Sequence, residues 1–163
     1  MNRTAFIAGA ATAVAARALL IRALHAKFAA DVTKLNSGDY ASLLNAFADD
    51  GVIVFTDNDT RWSGEHRGRP AIERFLQDFT RAGLQGEITE LFVGGPPWRM
   101  TLLARFDDHA DAPDGERLYE NRTVLVIRTR WGKIVHQEDF YVDTVRMAEF
   151  DRRLTALGIT PAG

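Results

Sequence analysis

The stretch Arg117 to Asp143, RLYENRTVLVIRTRWGKIVHQEDFYVD, decides how this chain folds. Two runs rich in β-branched and apolar residues flank Trp131-Gly132, which has the length and the glycine of a two-residue hairpin loop. Pairing Arg130 with Lys133 then sets Ile127 opposite His136, Leu125 opposite Glu138, Thr123 opposite Phe140 and Asn121 opposite Val142. On this register one face carries Tyr119, Asn121, Thr123, Leu125 and Ile127 with Ile134, His136, Glu138 and Phe140. The other is mostly charged, so the first is expected to face inward. A loop longer by one residue would turn Glu138 and His136 outward and bring Asp139 and Tyr141 in their place, because side chains alternate along a strand.

Working outward, the period stays at two over Glu87 to Val93 and Trp98 to Asp107, which predicts two further strands. The polar stretch from Asp107 to Gly115 reads as a loop. Helical spacing governs the rest. An apolar stripe through Leu20, Leu24, Phe28, Val32 and Leu35 predicts a long first helix from about residue 10, closed at Asn36-Ser37-Gly38. Asp39 caps a short second helix with Tyr40, Leu43, Leu44 and Phe47 on its buried side. Asp49-Asp50-Gly51 reads as a turn, Val52 to Phe55 as a strand and Thr56 to Gly68 as a loop. Pro70 opens a third helix with Ile72, Phe75, Leu76 and Phe79 inward, and Thr144 to Leu157 forms the last. Helices at both ends of locally linked strands make an α+β pattern: a cone-shaped, curved antiparallel sheet covered by helices on its concave face.

Composition sets the outer limits. A chain of 163 residues, 46% hydrophobic and 26% charged, suits one core domain, placed at 17–163 behind an apolar helical extension at 1–16. A net charge of −2 with scattered Lys and Arg offers no footprint for nucleic acid. The absence of cysteine excludes thiolate nucleophiles and Cys-ligated zinc. The uncharged run Ala5 to Ala16 is shorter than the ~20 residues of a membrane span. It reads as a helix start in a cytoplasmic protein, with a secretory signal or a membrane-surface contact through residues 1–22 as the alternative.

Glu138 and His136 are the candidate catalytic pair. A carboxylate in a partly dry site has its pKa raised by desolvation and serves as acid or base near neutral pH, while an adjacent His relays the proton. Tyr119 and Asn121 would donate to a substrate oxygen, and Trp62 and Phe140 would line the pocket, Trp62 as a lid ahead of the alternative of a core plug. Each of these residues also has a structural reading, as a rim ion pair, a half-buried His or a closed hydrogen-bond network. His66 near Glu65, and His109 near Asp107, Asp108 and Asp111, lack metal-ligand spacing and read as solvated loops, so neither a metal nor a cofactor is called for.

Several motifs bear a resemblance. Leu35-Asn36-Ser37-Gly38-Asp39-Tyr40 through Asp50-Gly51 is similar to the opening of the nuclear transport factor 2-like superfamily, which includes SnoaL-like polyketide cyclases and ketosteroid isomerases. Gly64 to Ile72, Tyr119-Glu120-Asn121-Arg122, Arg130 to Ile134 and Asp139 to Thr144 resemble later parts of SnoaL-like proteins, so the likeness spans about residues 17 to 157. It implies a pocketed cone that binds an apolar small molecule, often as a homodimer through the convex sheet face. Activity is not implied, because members include isomerases, cyclases, hydrolases, dehydratases and non-catalytic modules. The alignment puts Asp31 at the ketosteroid isomerases' oxyanion-binding Tyr and Phe55 at their general base, and Phe140 at an Asp of the limonene epoxide hydrolase-like members. None can do that work. The expected function is a small-molecule-binding domain, either a cofactor-independent acid/base enzyme or a non-catalytic binding or scaffold domain.

Overall fold

The computed structural model describes residues 3–112 and 114–162, with the backbone alone given for residues 3–11 and 13. Helices α1 (Arg3–Asn36) and α2 (Ala41–Leu44) precede strands β1 (Phe47–Phe55) and β2 (Gly64–Arg67). Helix α3 (Arg69–Arg81) is followed by β3 (Gln85–Gly94), β4 (Thr101–Asp111), β5 (Arg117–Arg130) and β6 (Lys133–Tyr141), and α4 (Thr144–Ala156) closes the chain. The six strands form one curved sheet in the order β2-β1-β6-β5-β4-β3. The sheet is mixed rather than wholly antiparallel, because β1 returns beside β6 and runs parallel to it.

The core lies between the concave face and the helices. Leu20, Leu24, Phe28, Val32 and Leu35 pack α1 inward, as their spacing predicts. Both ends of this contact are tied to β3. Arg17 donates to the Val93 carbonyl at 2.9 Å, while the Asn36 side chain meets Gly86 as a peptide would, accepting from its N–H at 3.0 Å and donating to its carbonyl at 2.8 Å. Gly86 has no room for a side chain, since a Cβ there would lie 2.2 Å from the Phe106 ring. The 1–16 extension has its apolar side chains largely outside the described residues, and α1 runs unbroken across its boundary. Among the described residues no helix is long and apolar enough to cross a membrane.

Three segments depart from the expected layout. Asp49-Asp50-Gly51 lies inside β1, where the pairing with β6 jumps from Phe47↔Ile134 to Val52↔His136. Within the expected loop, Gly64–Arg67 adds an edge strand to β1. Strand β4 continues to Asp111 through residues read as a loop, because it pairs along its whole length with β5.

The hairpin loop is as short as expected, and Arg130 does pair with Lys133. Trp131 and Gly132 both take left-handed backbone, at φ 52° and 80°. That conformation suits Gly and strains Trp, which is 79% exposed and gains little by packing. Trp131→Asn is therefore expected to raise unfolding stability by about 0.5–1 kcal/mol in a urea titration.

Beyond the loop the register changes. Thr129 pairs with Ile134 but Arg128 pairs with His136, so Val135 is an extra residue on β6. This bulge inverts every later position of the strand. Gln137, Asp139 and Tyr141 join Ile127, Leu125 and Thr123 on the concave side, and His136, Glu138 and Phe140 turn to the convex side.

Candidate functional site

Strand β4 alternates buried Leu102, Ala104, Phe106, Asp108 and Ala110 with more exposed residues. The period that buries its apolar side chains thus carries one carboxyl into the concave face. Asp108 is 2% exposed. Its Oδ2 accepts hydrogen bonds from the hydroxyls of Tyr119 on β5 and Tyr141 on β6, both at 3.3 Å. Its Oδ1 has no hydrogen-bond partner among the described residues. Burial pushes the Asp108 carboxyl up to about 7, against the two tyrosine hydrogen bonds that favour its charged form. Both phenols are pushed upward as well, first by burial and then by the charge on Asp108, so they stay protonated and donate.

A second acid lies on the same face. Asp139 is 5% exposed and accepts from the Gln137 amide at 2.9 Å. Burial is the main cause that raises it to about 7, and the charge on Asp108 adds to the rise. Among the described residues neither carboxyl has a Lys, Arg or His within ion-pair distance.

Aromatic rings hold this arrangement from behind. Tyr119 stacks on Phe150 of α4 with centroids 4.6 Å apart and planes 19° apart, and Phe150 stacks on Trp62 at 6.3 Å and 4°. The Tyr141 ring lies 4.8 Å from Phe55. Trp62 is fixed in turn by its neighbour Arg61, whose buried guanidinium pairs with Asp151 and donates to the Ile159 carbonyl at 2.9 Å.

A cleft of about 870 Å³ opens beside Asp108, between α1 and the ends of β4 and β5. Ala29 and Val32 of α1, Ile88 of β3 and Val142 give it an apolar wall. Asp108 and Asn121 line its inner part, and charged residues from β3, β4, β5 and α4 line its rim.

The residues expected from sequence are divided by this geometry. Tyr119 is where it was expected and donates to Asp108. Asn121 reaches the cleft, but its side chain is occupied by backbone: it donates to the Asp143 carbonyl at 2.8 Å and accepts from the Arg122 and Asp143 N–H groups. Trp62 is a core plug, 1% exposed, rather than a lid. Glu138 and His136 are 3.8 Å apart on the convex face, half-buried, and Phe140 is 49% exposed beside them. The bulge at Val135 removes all three from the pocket. Asp139 and Tyr141 take their place on the concave side of the sheet, as the alternative register has it, although a bulge rather than a longer loop brings them there. Asp108 escapes a reading of the sequence because Asp107 to Gly115 has the composition of a loop. The signal that marks it is the alternation from Leu102 through Phe106 to Ala110, which carries the strand across Asp108.

Three comparisons bear on this arrangement. A model of the SnoaL-like domain matches residues 27–137. Among solved structures the chain is similar to Bal32a from a soil-derived mobile gene cassette, at 19% identity and TM-score 0.61 over 77% of this chain and 94% of that one. It is similar to TerC co-crystallised with polyporic acid, at 18% identity and TM-score 0.62 over 77% and 95%. A nuclear transport factor 2-like protein of unknown function from Burkholderia pseudomallei aligns at 21% identity and TM-score 0.60 over 74% and 91%. No curated protein matches the sequence. With the curved sheet, the flanking helices and a family match over most of its length, the chain belongs to the SnoaL-like domain family and has the nuclear transport factor 2-like fold.

Proposed function

We propose that this SnoaL-like domain binds a small molecule with a largely apolar body in the cleft beside Asp108 and exchanges a proton with it, without a cofactor. The observation that carries the reading is Asp108 itself: a buried carboxyl on the cleft with one oxygen held by two tyrosines and the other without a partner among the described residues. A group poised near pH 7 is suited to both taking and returning a proton, as isomerisation, cyclisation and elimination require. Tyr119 and Tyr141 fix the carboxyl's orientation and stabilise its charge while the proton is on the ligand. Ala29, Val32, Ile88 and Val142 would hold the apolar body.

Thermal-shift screening with steroid, terpenoid and polyketide-like compounds, including the polyporic acid found with TerC, supplies ligands for the test. Proton exchange into the hits is then followed by NMR in deuterated water. Asp108→Asn is expected to slow exchange by about 100-fold or more, while Glu138→Gln on the convex face leaves it unchanged. Exchange that survives Asp108→Asn would remove Asp108 from the chemistry.

A second reading, as a scaffold or dimerisation domain, has its own observation. Phe92, Leu103, Val124 and Phe140 are exposed apolar side chains on the convex side of four neighbouring strands, β3 to β6. In this reading a second copy covers the strip. Sedimentation is then expected to show a dimer that Phe140→Glu dissociates, and a monomeric native chain would end it.

A further inference from the structure

The partner that Asp108 lacks narrows the class of ligand. A carboxyl that is 98% out of water, with one oxygen unpaired among the described residues, is short of a hydrogen-bond donor, and a ligand that reaches it from the cleft would supply one. A hydroxyl would satisfy that need in geometry. It would leave the electrostatics unresolved, because Asp139 adds a second buried carboxyl on the same face and among the described residues neither acid has a cationic partner within ion-pair distance. The basic groups of the rim, His109 at 4.0 Å from Asp111 among them, each face a carboxylate. Arg117 pairs with Asp111 and Glu120, Arg146 with Glu120 and Asp143, and Arg122 reaches Asp107 at 4.0 Å. Glu87 lines the same cleft and adds a further negative charge to its rim. An anionic head would therefore enter a site whose inner acid is uncompensated and whose guanidinium groups each already face a carboxylate.

We infer that the ligand's polar head is a protonated nitrogen, so that the cleft takes an apolar organic amine. This inference rests on the reading that Asp108 faces the ligand. An ammonium group supplies N–H donors to Oδ1 and the positive charge that the two acids lack, and charge-assisted hydrogen bonds of this kind are about twice as strong as neutral ones. The apolar wall of Ala29, Val32, Ile88 and Val142 receives the hydrocarbon part.

The test compares cyclohexylmethylamine with cyclohexylmethanol, a pair of nearly equal shape that differs in charge. Both are titrated into the native protein at neutral pH, and the methyl signals of Val32, Ile88 and Val142 report the cleft by NMR. The amine is expected to bind about tenfold or more tightly than the alcohol, and Asp108→Asn to abolish that preference. Equal binding of the two to the native protein, tighter binding of the alcohol, or no amine binding at all would overturn the inference. So would a preference that persists in Asp108→Asn, since it would place the recognising charge elsewhere on the rim. The native ratio decides even if the variant does not fold. Failure here is separable from failure of the proton-transfer reading, because an alcohol whose binding still depends on Asp108 would leave that residue as the ligand contact.

Discussion

Phe150→Ala is expected to lower unfolding stability by about 3–5 kcal/mol, measured by urea titration. Phe150 is almost fully buried and is the middle ring of a stack of three, with Trp62 on one side and Tyr119 on the other. Truncation removes a large apolar side chain and leaves a cavity that neither neighbour can close without abandoning its own contacts. A second consequence follows for the site. Tyr119 owes its position to the stack, and its hydroxyl is one of the two that hold Asp108. Phe150→Leu, which keeps much of the volume but none of the stacking, is expected to retain most of the stability and still impair proton exchange. If it leaves exchange at the native rate, the stack is a packing device alone.

The second large effect concerns pH. Asp139 has a folded-state pKa of about 7 against an ordinary value of 3.8, so between those two values the folded state binds more protons than the unfolded one. Stability from this group is therefore highest at acid pH, falls as pH rises from about 4 to 7, and changes little above that. The loss is on the order of 4 kcal/mol. Asp139→Asn mimics the neutral acid and keeps an acceptor for Gln137. The variant is expected to match the native protein near pH 4 and to exceed its stability by that amount near pH 8. A difference that stays constant from pH 4 to 8 would show that Asp139 does not titrate in this range.

Much of the fold could be read directly from the chain. The 3.6-residue spacing of Leu20, Leu24, Phe28 and Leu35 placed α1, Pro70 placed the start of α3, and Trp131-Gly132 placed the hairpin, because each signal is local. Tyr119 was legible for the same reason, lying on a long alternating strand whose pairing with β4 has no irregularity between it and Ile127. The rest of the site depended on pairing. The bulge at Val135 has no turn residue to announce it; its visible counterpart is the jump from Phe47 to Val52 on the neighbouring strand, where Asp49-Asp50-Gly51 suggested a turn. Asp108 was hidden by composition, since an acidic run resembles a loop until its partners on β5 supply the hydrogen bonds that make it a strand. Buried acids are rare enough that a sequence alone argues against them, and only a surrounding cleft makes sense of one.

The extra residue at Val135 also governs how this strand is to be compared with others of its fold. At about 20% identity an alignment is free to place a gap one position either way near the hairpin. On a strand that choice is a matter of parity. Shifted by one, the column that should hold Asp139 and Tyr141 holds Glu138 and Phe140, and two proteins with matching pockets look unrelated while two with different pockets look alike. Functional residues on β6 are therefore best matched by counting in twos from the bulge.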